Sequence, residues 1–330
     1  MQKIAIFGLG SFLPDGVLTN EALSKQVNTS DEWITSRTGI KARHLVAKGQ
    51  SNTDLGYEAA LRALADANLT ADEITHVLYA TCTSDYITPS SACLLCAKLG
   101  IGERFALDIN AACSGCLFGL VVARGLIAAE PDAKVLLVAS EAMSSRMNWQ
   151  DRSTCVLFGD GGAALVLAGA NNGCSVAVLE DIETAADGFN GSLLHFGGPR
   201  PSGEPYKQGD PLGEDYFLSM NGRDIYKHAV RNMAAISTEV LVRNAMTIAD
   251  VDLVVPHQAN MRIIEAIVSR LEIPTEKVFV NLTTTGNTSA ASIPLALDDA
   301  RRQGVLKPGM RVLTCTFGSG LTWSAALFRF

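Results

Sequence analysis

Short apolar runs alternate with longer amphipathic segments along this chain. Strand-like runs rich in Val, Leu and Ile stand at residues 73–81 (EITHVLYAT), 133–140 (AKVLLVAS), 250–258 (DVDLVVPHQ) and 310–317 (MRVLTCTF). Continuous short runs of this kind predict strands covered on both faces. The first ten residues read as a further strand. Helix-like segments, about 54–67 and 224–244, precede the first and third runs. The runs are also related to one another. The first and third are 177 residues apart, and so are the second and fourth. Between them FALDINAACSG (105–115) faces VFVNLTTTGNTS (278–289), with four residues of slack. This order predicts an internally duplicated α/β chain with halves 1–171 and 172–330. Residues 187–213, rich in Gly and Pro, are expected to form a surface or site-edging loop.

The longest apolar region, 111–129, carries Ser114 and Arg124. A membrane helix wants about 20 apolar residues with few charges, so a buried helix is predicted. Residues 1–21 show no signal-peptide pattern. A cytoplasmic location with reduced cysteines is the expectation, with no membrane insertion.

Composition narrows the classes. The chain has 330 residues, 48% apolar and 18% charged, and a mean hydropathy of +0.19. That suits one large or two fused compact domains. A net charge of −7 argues against nonspecific nucleic-acid binding, which needs a surplus of Lys and Arg.

Two C-x2-C pairs, Cys93/Cys96 and Cys113/Cys116, have the spacing of a zinc site, and the second also that of a redox pair. Both fall in helical patterns, and a core of this size needs no metal staple. Cys82, Cys93, Cys96, Cys116, Cys155, Cys174 and Cys315 read as buried core cysteines. Cys113 differs. FALDIN reads as a strand and AACSG as a sharp turn into a helix, so the thiol would sit at a helix N-terminus, which favours the thiolate and lowers its pKa. Ala111, Ala112, Ser114 and Gly115 leave room for a substrate. His257 follows an apolar strand in VVPHQAN, whereas His44, His76, His195 and His228 read as structural or superficial. Asn287 lies beside Gly286 in TTTGNTSAAS. Ligands in open α/β sheets bind beyond strand ends, where these three residues are expected. An imidazole and an amide can both donate to one oxygen, so the set suits a thioester and then an enolate.

With those residues in view, TSDEWITSRTGIKARH (29–44), FGDGGAA (158–164), VVPHQANMRI (254–263) and GNTSAASIP (286–294) resemble the signature segments of the thiolase-like condensing enzymes, closely the β-ketoacyl-acyl-carrier-protein synthase III family. The resemblance covers almost the whole chain. It implies duplicated βαβαβαβ halves in α-β-α-β-α layers, a homodimer, and decarboxylative condensation of an acyl-CoA primer with malonyl-acyl-carrier-protein. No metal or organic cofactor is demanded; acyl-CoA is a substrate. The resemblance assigns the nucleophile to Cys113, its partners to His257 and Asn287, and the second oxyanion N–H to Ser319. Phe317 would line the pocket. Trp33 and Arg37 would meet the adenine and phosphates of CoA, with Arg152 near the base and Asn260 at the pantetheine arm. Arg262 and Arg270 could form a positive patch for an acidic carrier protein. Gly159, Gly161 and Gly162 read as a tight core turn and Asp160 as structural.

The pattern departs from the family in two places. Ser319 replaces the middle of three glycines common there, and adds bulk near Cys113. Thr88 stands where some members carry Phe, which suggests room for longer or branched primers. The loop residues Tyr206 and Lys207 offer no unique chemistry. A specialised condensing enzyme of secondary metabolism is therefore the alternative expectation. A degradative thiolase fits less well, because no second cysteine has a convincing place.

Overall fold

The computed structural model describes residues 3–173, 175–197 and 213–330. Cys174, Tyr206 and Lys207 lie outside them. The chain opens with β1 (Ile4–Phe12), β2 (Gly16–Thr19), α1 (Asn20–Ser24), α2 (Asp31–Thr38), β3 (Ala42–Leu45) and α3 (Asn52–Asp66). There follow β4 (His76–Ala80), α4 (Ser91–Leu99), β5 (Phe105–Ile109), α5 (Gly115–Ala129), β6 (Val135–Ala142), β7 (Asp160–Gly169) and β8 (Ala177–Ala186). The second half has β9 (Leu194–His195), β10 (Ser219–Met220), α6 (Gly222–Arg243), β11 (Leu253–Pro256), α7 (Met261–Arg270), α8 (Leu282–Thr285), α9 (Ser292–Arg302), β12 (Arg311–Gly318) and β13 (Thr322–Arg329).

Local chemistry sets the helix ends. Ser51 and Asp54 form a reciprocal capping box at the start of α3, satisfying backbone donors that a helix start leaves open. Gly39 and Gly100 end α2 and α4 in the left-handed conformation, which glycine adopts without Cβ strain.

Nine of the described strands form one mixed sheet, ordered β11-β12-β13-β8-β1-β7-β6-β4-β5. The order is two copies of one motif laid edge to edge. β4, β6, β7 and β1 in the first wing correspond to β11, β12, β13 and β8 in the second. Only the pairs Ala5–Val178 and Ile6–Ala177 join the wings. The partner expected for β5 is reduced to a single bridge between Val278 and Val254.

Three apolar cores fit the five expected layers. One packs α3 and α4 on the first wing through Ala59, Ala63, Leu95 and Val138. Another packs α6 and α7 on the second through Met233, Ile236, Ile267 and Leu313. Between the wings, α5 and α9 bury Leu117, Leu120, Ile293 and Leu297 against both. The segment Ala112–Ala129 is long and apolar enough to cross a bilayer by composition, but here it fills this central layer. The slack in the repeat has a location too: α8 takes up the extra residues, after which Asn110 and Asn287 are again 177 apart.

Candidate active site

The repeat brings two similar turns together at the centre. Ala112 (φ 47°) and Ser289 (φ 50°) both occupy the left-handed region, each at the start of a short 3-10 turn that feeds a central helix, α5 or α9. A non-glycine residue there is strained by its Cβ. The first turn presents Cys113. Gly115 follows because a Cβ there would lie 3.2 Å from Ala80 and 3.3 Å from Ala290. The Cys113 carbonyl accepts from Thr316 Oγ1 at 3.0 Å, and Ser114 Oγ donates to Thr322 O at 3.2 Å.

The thiol is not the lowered one expected at a helix start. Burial pushes Cys113 up to about 12, offset only in part by a hydrogen bond to Ser289. Removing the thiolate from water outweighs the field of the short helix start. Burial therefore favours the neutral thiol at this position.

His257 follows Pro256 at the end of β11. It is buried, and burial lowers its pKa to about 3, so the ring is neutral across ordinary pH. Its Nδ1 lies 2.5 Å from Ser292 Oγ at the start of α9. The tautomer in which the hydroxyl donates to Nδ1 puts the ring proton on Nε2, as a donor. Asn287 is held from three sides. Its N–H donates to Leu157 O at 2.9 Å, and its carbonyl accepts from Gly159 N at 3.0 Å. Its side-chain Oδ1 accepts from Ser289 N at 2.8 Å. The amide nitrogen is then the end left to donate.

The glycine run that supports Asn287 is not the turn expected. Gly161 and Gly162 lie inside β7. A Cβ on Gly159 would meet Thr285 O at 2.4 Å, and one on Gly162 would meet Leu55 O at 2.8 Å. These glycines let backbones cross closely. Asp160 accepts from Val46 N, Ser144 N and Ser144 Oγ. Beneath them Arg43 is fully buried, donating to Leu18 O, Asn20 Oδ1 and Val156 O.

The C-terminal turn approaches Cys113 closely. A Cβ on Gly318 would lie 2.9 Å from Cys113 N. Next to it, the Ser319 hydroxyl donates to Leu194 O. The side chain is thus engaged with β9. Thr322 Oγ1 ties the turn to Ala111 O at 3.0 Å and Ser319 O at 3.1 Å.

A cavity of about 940 Å³ contains Cys113, His257, Asn287 and Phe317 at its buried end. Trp33, Arg37, Asn260 and Arg262 line the same cavity toward solvent. Trp33 and Arg37 share α2, and the Arg152 guanidinium lies over the Trp33 ring, 5.0 Å from its centre. Arg270 is exposed at the far end of α7, about 12 Å along the helix from Arg262. Thr88 sits in an exposed loop beside Ile87, which is 98% exposed, and is not among the residues lining this cavity.

Sequence reasoning missed a polar group directly below the thiol. Glu141, at the end of β6, is fully buried. It accepts from Thr81 Oγ1 at 3.0 Å, Cys82 Sγ at 3.2 Å, Ser289 Oγ at 3.1 Å and, most closely, Thr83 Oγ1. Cys113 Sγ lies 3.6 Å from the same Ser289 Oγ. Cys82 is therefore part of this polar group, not plain core, and Cys93 is exposed. The signal for Ser289 lay in the repeat, where it stands 177 residues after Ala112 in the turn that carries Cys113.

Comparison with known proteins agrees with this architecture. Residues 107–188 match the family described as 3-oxoacyl-[acyl-carrier-protein (ACP)] synthase III, and residues 241–330 match its C-terminal region. A β-ketoacyl-[acyl-carrier-protein] synthase III of Nitratidesulfovibrio vulgaris (strain DSM 19637 / Miyazaki F) is 59% identical over 98% of this chain and 96% of its own length. The crystal structure of 3-oxoacyl-[acyl-carrier-protein] synthase III from Aquifex aeolicus VF5 superposes with a TM-score of 0.90 at 42% identity, covering 99% of this chain and 100% of that one. The priming β-ketosynthase from the R1128 polyketide biosynthetic pathway superposes at 0.89 with 31% identity, covering 99% and 96%. The chain belongs to the 3-oxoacyl-[acyl-carrier-protein] synthase III family of thiolase-like condensing enzymes.

Proposed function

We propose that this protein condenses an acyl-CoA primer with malonyl-acyl-carrier-protein, as a β-ketoacyl-acyl-carrier-protein synthase III that initiates fatty acid synthesis. The observation that carries the reading is the convergence of Cys113, His257 and Asn287 at the buried end of one cavity whose outer wall holds Trp33, Arg37 and Arg262. Cys113 attacks the primer thioester, and CoA leaves. The N–H groups of Cys113 and Ser319 hold the tetrahedral oxyanion. Malonyl-carrier protein then enters. His257 Nε2–H and the Asn287 amide donate to its thioester oxygen, loss of CO2 gives the enolate, and its carbon attacks the acyl-enzyme. Phe317 helps exclude water from that carbon.

Trp33 with the stacked Arg152 suits the adenine, Arg37 the phosphates, and Asn260 the pantetheine arm. Arg262 at the mouth, with Arg270 further along α7, suits an acidic carrier protein. The working unit is a homodimer. The edge strand β5 leaves Phe105 and Leu107 exposed (44% and 41%), and Thr88 lies on a loop that a partner's pocket would receive. The halves 1–171 and 172–330 supply the nucleophile and its donors respectively. The cytoplasm, a reducing compartment, suits the unpaired cysteines.

Intact-protein mass with a panel of acyl-CoAs tests the reading. One acyl group should appear on Cys113 and be discharged by malonyl-carrier protein as a β-ketoacyl product. Labelling unchanged in Cys113→Ala would refute it. A preference for long or unusual primers, with Thr88 in place of a bulky residue, would move the enzyme to a specialised pathway.

A further inference from the structure

Glu141 has no part in the reaction as derived so far, yet it is the buried carboxylate nearest the nucleophile. We propose that Glu141 takes the Cys113 proton through Ser289 when the thiol is acylated, stores it throughout the acyl-enzyme state, and returns it to the thiolate that condensation releases. The proposal rests on the acyl-transfer reading above.

The geometry is a continuous chain from the thiol to the carboxyl group. Cys113 Sγ donates to Ser289 Oγ at 3.6 Å, and Ser289 Oγ donates to Glu141 Oε1 at 3.1 Å. The other hydroxyls around Glu141 have their acceptor sides engaged. Thr81 Oγ1 accepts from Asn52 Nδ2 at 2.9 Å and Thr83 N at 3.0 Å, and Thr83 Oγ1 accepts from Ala142 N at 2.9 Å. Their hydrogens therefore point at Glu141 Oε2, while Cys82 Sγ and Ser289 Oγ face Oε1, a donor set that suits the resting carboxylate the proposal requires. Burial raises its pKa, which makes it a better base than an exposed carboxylate. Cys82 and Tyr79, the other ionisable groups facing it, are held neutral by burial. His257, lowered to about 3, is a poor acceptor for a thiol near 12.

The atoms balance. In the first half, the S–H bond of Cys113 breaks, its proton passes to Ser289 as the Ser289 proton passes to Glu141, and sulfur bonds to the acyl carbon. The carbon–sulfur bond to CoA breaks, and the CoA thiolate takes a proton from solution. In the second half, malonyl loses CO2 and its carbon bonds to the acyl carbon. The Cys113 thiolate released regains its proton from Glu141 by the same path. Acylation thus consumes one proton from solution, and condensation needs none. Without a store, the Cys113 proton would leave with CoA and the uptake would fall at condensation instead.

Proton uptake is the test. Acyl-CoA is added to the full-length protein in weak buffer at about pH 7, where free CoA remains a thiol. An indicator dye reads protons, and intact mass reads acyl groups. The expected result is one proton taken up per acyl group on Cys113, together with a new carboxylic-acid carbonyl band in the infrared difference spectrum. Glu141→Gln should lose both signals while still acylating, more slowly. Ser289→Ala should lose the uptake with Glu141 still present. An acyl-Cys113 adduct without uptake in the unmodified protein overturns this proposal alone. Uptake that persists in Ser289→Ala overturns the route. No adduct at all overturns the acyl-transfer reading, and this proposal with it.

Discussion

In the proposed mechanism the donor pair, His257 and Asn287, stays uncharged. His257 is neutral because it is buried, and the same fact has a cost at low pH. Its pKa falls from 6.5 in the unfolded chain to about 3 in the fold. Below about pH 6.5 the unfolded state binds a proton that the folded state refuses, so stability falls as pH drops toward 3. At about 1.4 kcal/mol per pH unit, the share lost by pH 4 is about 3 kcal/mol. We expect His257→Gln to flatten the melting temperature between about pH 6.5 and 4 relative to the parent. The Asn287 amide has a different sensitivity. Its Oδ1 is fixed by Ser289 N, so Asn287→Asp puts a second carboxylate oxygen where the donor was. We expect acylation of Cys113 to survive and malonyl decarboxylation to fall about 100-fold or more, the scale of a lost oxyanion donor. Single-turnover measurements of the two half-reactions separate these outcomes. That Cys113, His257 and Asn287 come together in one cavity was legible in sequence because each follows a strand-like run. Glu141 was not, because a carboxylate at the end of an apolar strand has no local signature until the strand order puts it under the thiol.

Elements explain what the residues alone do not. The helices near 54–67 and 224–244 were legible from their periodicity, within two residues at each end. The glycine run of 159–162 was misread as a turn, because glycine is equally at home in turns and in strands crossed closely by another backbone. Here the crossing partners, Thr285 O and Leu55 O, come from distant parts of the chain. Gly159→Ala is therefore expected to push the bridge between Phe158 and Asn287 apart. The cost should be about 1–3 kcal/mol, typical of overpacking, seen as a lowered denaturation midpoint. Because that bridge carries Asn287, the decarboxylation half-reaction should suffer more than acylation.

On the scale of the whole molecule, the duplication is the organising fact. It was legible as a constant offset of 177 residues, whereas the narrow seam between β1 and β8 was not, since two register pairs leave no pattern in sequence. The seam sets the wings so that Cys113 comes to the cavity from one and His257 and Asn287 from the other. Two surfaces then remain for partners. At the cavity mouth Arg262 donates to Ser36 O at 3.2 Å and remains exposed, so Arg262→Glu should raise the KM for malonyl-carrier protein about tenfold, or 1.4 kcal/mol. Primer loading should change far less, and the difference should shrink at high salt as the charges are screened. The other surface is the outer edge of β5. An exposed apolar edge strand is a template for pairing with another chain, and Phe105 and Leu107 leave one here. Tyr86 (60% exposed) and Ile87, beside Thr88, add apolar surface on the loop after β4. We expect sedimentation to show a dimer at micromolar concentration. Leu107→Glu should put like charges together across the interface and yield monomers. If Thr88 enters the partner's pocket, those monomers should also lose discrimination among primers, while a monomer with unchanged primer preference would place the pocket floor within a single chain.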